Sequence, residues 1–360
     1  MQKTEFCERF DLSYPIVQAP MAGVTTPLLA AEVRKAGALP SLGCGAMSPE
    51  VLEKNIVEYM DLVSESESPL ININFFSHQV EMVDEAANAA WLKELSPLFK
   101  RFEAQTPDTL NVIYHSLLTV DERVEILLAK QPQIVSFHFG LPSEKVLDKL
   151  KAAGVAIFAS ACHLDEAKLL EAAGVDYIVA QGYEAGGHRG IFDPMMDKEL
   201  GTLELLKLLK KECYTPIIAA GGLMNGHDIR LMLEHGAEAV QLGTAFVLCP
   251  ESAASKEYRE QLRVHAKTNS ETLVSADISG RPARGLKTKL TDLGIRLREV
   301  EQLKRPAYPV LYDANKQLNE VALRQGDDGY GAYWSGTGLS RIMEMPAQEL
   351  IKQLVTEAAD

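Results

Sequence analysis

The chain has 360 residues, 46% hydrophobic and 24% charged, an ordinary globular composition that supplies a large core without a disulfide or metal staple. Its formal net charge of −14 opposes nonspecific binding to nucleic acid or to an anionic membrane surface, and no apolar run approaches the ~20 residues that span a bilayer. The five cysteines are scattered, with no CxxC pair and no Cys/His cluster of zinc spacing, so no metal site is expected and a reducing, cytoplasmic setting is.

Met1–Phe10 is mixed polar and charged, unlike a signal peptide. From there short apolar runs alternate with amphipathic stretches. Eight runs read as buried parallel strands: Pro15–Ala19, Ala38–Leu42, Pro69–Phe75, Gln133–Phe139, Val155–Ser160, Tyr177–Gln181, Pro216–Ala220 and Ala239–Leu242. The helical pieces Thr26–Ala36, Ser143–Ala153, Leu164–Ala173 and Asp228–His235 each end at a glycine, namely Gly37, Gly154, Gly174 and Gly236. This helix–Gly–strand punctuation marks βα units, and eight units predict a (β/α)8 TIM barrel. A barrel takes roughly 250 residues, so the expected division is a barrel over 1–250, a helical cap or substrate domain over 251–324, and 325–360 packing back on the barrel. Ser77–Leu118 reads as a long helical insertion. Glu251–Arg324 shows charged helical stretches and no buried strand. Asp327–Arg341 is a Gly- and aromatic-rich loop, and Ala347–Ala358 a closing helix.

In this fold the active site lies at the C-terminal strand ends, with phosphate held after strands seven and eight. The seventh strand runs into Gly221-Gly222 and the eighth ends Gln241-Leu242-Gly243-Thr244. Glycines there let backbone N–H groups approach an anion without nearby lysines. The sixth strand continues Gln181-Gly182-Tyr183-Glu184-Ala185-Gly186-Gly187-His188-Arg189-Gly190. The Gln181 amide has a donor and an acceptor for a planar heterocycle. His188 sits on a Gly-framed loop rather than in a periodic apolar element, which points to function. The first strand ends in Ala19-Pro20-Met21, whose rigid turn offers amides to a flat ring. Asn72 and Asn74 share one face of the third strand, either facing a ligand or satisfied in the core. His138 ends the fourth strand, either lining the substrate pocket or making a structural hydrogen bond. His78, His115, His163, His227, His235 and His265 read as surface or capping residues. Neither Gly43-Cys44-Gly45 nor Gly336-Thr337-Gly338 completes a dinucleotide fingerprint.

Together, Gln18-Ala19-Pro20-Met21, Asn74-Phe75-Phe76, Ser136–Gly140, Gln181–Gly190, Ala219–Gly222 and Gln241–Thr244 resemble class I-like nitronate monooxygenases, formerly called 2-nitropropane dioxygenases. Ser279–Gly285 looks like a family segment in the cap, and Trp334–Gly338 resembles the family's loop near the flavin. The resemblance implies noncovalent FMN, contacted by Ala19, Pro20, Met21, Asn74, Gln181, Gly186, Gly187, Gly221, Gly222, Gln241, Leu242, Gly243 and Thr244. It implies His188 as the catalytic residue and His138, Tyr333 and Trp334 at the substrate. The implied reaction is oxidation of an alkyl nitronate, such as the toxin propionate 3-nitronate, by O2 to a carbonyl compound and nitrite. With an intrinsic pKa near ~6.5, His188 would be open to either protonation state. Arg189, Arg281 and Arg284 are candidates for the positive partner of reduced flavin. Two alternatives stand: an NADH-dependent flavin reductase (enoyl or quinone) on the same barrel, and an idle barrel that only binds a phosphate ligand.

Overall fold

Side chains along each central strand alternate between two layers, and this alternation builds the molecule. In the computed structural model, which describes residues 3–63 and 70–359, the strands are β1 (Ile16–Gln18), β2 (Ser41–Gly43), β3 (Asn72–Phe76), β4 (Ile134–His138), β5 (Ala156–Ala161), β6 (Tyr177–Gln181), β7 (Gly187–His188), β8 (Ile217–Ala220), β9 (Ala239–Leu242), β10 (Thr272–Ser275) and β11 (Ala283–Leu286). Eight form one parallel sheet in the order β1-β9-β8-β6-β5-β4-β3-β2, and its two edges meet at the parallel bridge between Val17 and Leu39. This is the expected TIM barrel. Ile73, Phe75, Val135, Ile157, Ile178, Val240 and Leu242 pack outward in the layer shared with the helices, whereas Val17, Phe158, Tyr177, Val179 and Ile218 form a separate interior cluster. Pro69, the expected first residue of the third strand, lies outside the described residues.

The four predicted helices are Pro27–Lys35, Glu144–Ala152, Leu164–Ala172 and Gly226–Glu234. Their terminating glycines Gly37, Gly154, Gly174 and Gly236 all adopt positive φ, the left-handed turn that carries the chain back into the next strand.

Helix Glu5–Phe10 closes the barrel floor, with Phe6 packed against Phe158 and Tyr177 at 6.1 and 5.1 Å. Two expectations are corrected. The insertion Ser77–Leu118 is helical only over Glu85–Arg101. The stretch Glu251–Arg324 carries helices Lys256–Thr268, Lys289–Glu299 and Val310–Arg324, but also β10 and β11. These two antiparallel strands pair with β7, with Ala283 opposite His188 and Arg284 opposite Gly187. Their short, half-polar pattern carries no run of apolar residues, which is why periodicity did not reveal them. With the floor plugged, the open end is the mouth at the C-terminal halves of the strands, which carries Asn74, His138, Gln181 and Gln241.

Candidate active site

A cavity at that mouth encloses about 1370 Å³ of non-atom space, its opening included. Its lining contains no Lys, Arg, Asp or Glu. The structure brings together Ala19, Pro20, Met21, Asn74, His138, Gln181, Gly186, Gly187, His188, Gly221, Gly222, Gln241, Gly243, Thr244 and Trp334 along its wall.

Leu242 and Tyr333 do not reach it. Leu242 follows Gln241 on β9 and therefore points the other way, into the helix layer. Tyr333 packs with Tyr258 and Leu286 in a separate cluster and donates its hydroxyl to the Asp328 carbonyl at 2.7 Å.

One end of the cavity is made of close backbone. A Cβ on Gly186 would lie 2.5 Å from the Gly336 nitrogen, so these two loops fit only without a side chain there. The Gly336 N–H donates to Thr244 Oγ1 at 3.0 Å. The N–H groups of Gly186, Gly222 and Leu223 have no acceptor among the described residues. The helix after β9 spans only Thr244–Val247, so free amides, rather than a long helix dipole, are what this end offers an anion.

The other end is His188 in an aromatic box. Its ring lies 5.3 Å from Trp334, 5.5 Å from Tyr308, 5.7 Å from Phe139 and 6.2 Å from Tyr312. Phe139 itself has φ of +72°, a strained backbone of the kind found at functional sites. The His188 backbone is held from three sides. Its carbonyl accepts from Gln181 Nε2 at 3.0 Å and His138 Nε2 at 3.1 Å, and β7 binds it to the hairpin. His188 Nε2 lies 2.8 Å from Ser279 Oγ.

These bonds revise two roles. The Gln181 oxygen accepts from the Gly190 N–H at 2.7 Å and the Cys162 thiol at 3.4 Å, so of the donor–acceptor pair expected for a heterocycle only one amide hydrogen is left. Both His138 nitrogens are engaged, Nε2 with the 188 carbonyl and Nδ1 with Ser160 Oγ at 2.9 Å. His138 thus makes the structural hydrogen bond while also lining the cavity. Asn72 donates to Ser41 Oγ at 3.1 Å within the barrel, whereas Asn74 donates to Ser136 and keeps its oxygen at the cavity.

Burial pushes the His188 imidazole down to about 3, reinforced by the positive charge of neighbouring His138, Arg281 and His78. Burial likewise lowers His138 and His78 to about 4. Either-state titration near neutrality is thus corrected: His188 is neutral and weakly basic. His78 is buried rather than at the surface and packs edge-on to Tyr308 at 4.9 Å, whereas His163, also buried, stands at the N-cap position of helix Leu164–Ala172 without a side-chain cap bond. Of the three arginines, Arg189 is neutralised by Asp197 at 2.8 Å, and Arg284 is spent on Tyr183 and Thr272. Arg281 has no carboxylate within ion-pair distance among the described residues. It lies 4.7 Å over the Phe139 ring, and its Nε is buried without an acceptor.

Sequence reasoning missed Phe76, Tyr114, Tyr258 and Tyr312 in the lining, and Lys316 beside it. The Lys316 ammonium lies 5.4 Å over Tyr114 and 5.0 Å over Tyr312, a cation–π arrangement made by a residue that stays exposed to solvent. The i, i+4 spacing of Tyr312 and Lys316 on one helix was a usable signal.

A family model described as nitronate monooxygenase matches residues 3–357. A nitronate monooxygenase of Paraburkholderia phytofirmans is 48% identical over 95% of this chain and 92% of its own length. Among solved structures, a nitroalkane oxidase from Streptomyces ansochromogenes superposes with a TM-score of 0.83 at 32% identity, covering 97% of this chain and 96% of that one. FabK from Thermotoga maritima superposes with a TM-score of 0.72 at 25% identity, covering 100% and 97%.

Proposed function

This chain belongs to the nitronate monooxygenase family of flavin-dependent oxidoreductases, and on that premise we propose that its cavity holds FMN and oxidises alkyl nitronates with O2 to a carbonyl compound and nitrite. The carrying observation is the cavity's two-ended chemistry: unpaired backbone amides from two glycine loops at one end, and a neutral imidazole in an aromatic box at the other, with no carboxylate between them among the described residues.

The residues fit the cofactor. Gly186, Gly222, Leu223, Gly243 and Thr244 would hold its phosphate through N–H groups and a hydroxyl. Asn74, the remaining Gln181 hydrogen and the Ala19–Met21 turn would meet the edge of its ring. When bound, FMN supplies the electron-accepting ring, and the protein supplies placement and charge. Phe76, Tyr114, Tyr312 and Trp334 exclude water around His188. Lys316, over the two tyrosines, receives the anionic end of the substrate. In this reading residues 251–324 form the substrate cap and residues 325–360 return to the barrel.

A nitronate has already lost the proton that a nitroalkane must give up. General bases work best with a pKa near the working pH, and His188 lies well below it. The preformed nitronate is therefore the better substrate, and a neutral nitroalkane is turned over more slowly with His188 as base.

The test is an anaerobic spectrum of the purified protein with propionate 3-nitronate and, separately, with NADH. Bleaching by the nitronate, with nitrite released in air, is expected. Rapid bleaching by NADH alone would overturn this reading in favour of the reductase. That alternative is weaker: the FabK likeness is lower in both identity and TM-score than the nitroalkane oxidase likeness.

A further inference from the structure

His188 carries two ring nitrogens with different surroundings. Nε2 faces Ser279 Oγ at 2.8 Å. Nδ1 has no hydrogen-bond partner among the described residues and is not closed off from the cavity that His188 lines. Which nitrogen bears the proton therefore decides what chemistry the site presents.

Ser279 is fully buried in the turn between β10 and β11. Its oxygen lies 3.0 Å from the Arg281 carbonyl oxygen and 3.3 Å from the Arg281 N–H. A carbonyl oxygen only accepts, so the single hydroxyl proton of Ser279 goes to Arg281. With that proton spent, the hydroxyl can only accept from the imidazole, and His188 is Nε2–H with its lone pair on Nδ1. The turn is rigid. Gly280 packs against the Tyr308 backbone, where a Cβ would come within 2.6 Å, and the Pro282 carbonyl accepts from the Arg189 N–H at 2.8 Å.

We propose that Ser279 is a positioning residue that fixes the tautomer of His188 and leaves Nδ1 as the nitrogen that meets the substrate. When a neutral nitroalkane reacts, its carbon-bound proton passes to Nδ1. The C–H electron pair becomes the C=N bond of the nitronate, and the resulting imidazolium keeps its Nε2–H on Ser279 until Nδ1 returns the proton to solvent. A preformed nitronate skips this step. The inference rests on the proposed reading of His188 as base, but the tautomer can be measured without any turnover.

The experiment uses the full-length flavin-loaded protein with 15N-histidine label. The long-range 1H–15N pattern of His188 is expected to show the neutral Nε2–H tautomer in the wild type and to lose that preference in Ser279→Ala. In the kinetics, Ser279→Ala is expected to lower kcat/KM for a neutral nitroalkane about fivefold, the equilibrium weight of one neutral hydrogen bond. The value for the preformed nitronate should stay within about twofold, and Ser279→Thr, which keeps the hydroxyl, should recover the loss. An Nδ1–H tautomer in the wild type overturns the proposal, as does an equal fall for both substrates, which marks a merely structural role. Absence of nitronate oxidation in the wild type would instead count against the functional reading, with the spectrum still deciding the tautomer.

Discussion

The Nε2 atom of His138 lies 3.1 Å from the carbonyl oxygen of His188, so the second histidine of the cavity wall also holds the first in place. His138→Leu is expected to lower kcat about fivefold, the weight of one hydrogen bond, with flavin retained and KM little changed. His138→Gln, whose amide can still donate, should recover part of the loss. Steady-state kinetics decide this: a rise in KM alone would make His138 a substrate contact after all.

Replacing the imidazole at 188 separates two classes of substrate. His188→Asn is expected to keep its flavin and to lose about a hundredfold or more on neutral nitroalkanes, the lower range for a positioned base. Preformed nitronates should lose much less. Absorbance spectra and nitrite release measure both, and loss of flavin would show that His188 is misassigned.

Acid should act on stability before it acts on the base. His78, His138 and His188 hold folded-state pKa values of about 4, 4 and 3, below the unfolded value near ~6.5. Between these limits the unfolded chain binds more protons, so stability falls as pH drops from ~6.5 towards ~4, by up to about 1.4 kcal/mol per pH unit for each histidine. Denaturant titrations at pH 7 and 5 check the sign. Over the same span kcat/KM for nitroethane should show no limb near ~6.5 attributable to His188.

Two glycines at the amide-rich end should fail differently. At Gly186 a Cβ meets the Gly336 backbone, whereas at Gly243 it meets only Ala19 Cβ and Met21 Sδ at 3.5 and 3.6 Å. Gly186→Ala is therefore expected to destabilise the protein by about 1–3 kcal/mol with or without flavin. Gly243→Val should fold normally and lose the flavin. Thermal melts and the flavin-to-protein absorbance ratio distinguish them.

Lys316 predicts selectivity among nitronates. Lys316→Met should raise KM for propionate 3-nitronate, which carries a carboxylate, about threefold, and should leave that for ethylnitronate unchanged. The larger figure reflects about 0.6 kcal/mol for a solvent-exposed ion pair. Equal effects on both would remove Lys316 from the substrate site.

Much of this was readable in the chain. Buried parallel strands announce themselves as apolar runs, and Gly37, Gly154, Gly174 and Gly236 mark where helices stop, so the barrel and its Gly-rich mouth followed directly. Strict alternation along β9 already separates Gln241 from Leu242, and applying it would have removed Leu242 from the cofactor set. What was not legible depends on contacts between distant segments. Ser279 lies 91 residues from His188 and carries no periodic signal. The strands around it are four residues each and half polar. The direction of a hydroxyl proton has no sequence signature at all. Tyr114 comes from an irregular stretch whose path is set by packing.

Because β7 is hydrogen-bonded into the β10–β11 ribbon, the ribbon cannot swing clear as a hinged door while His188 stays in place. Prying the ribbon loose would unseat the imidazole at 188 with it. Chimeras that exchange the ribbon between relatives should tolerate changes on its outward surface but not in the two residue pairs that face positions 187 and 188.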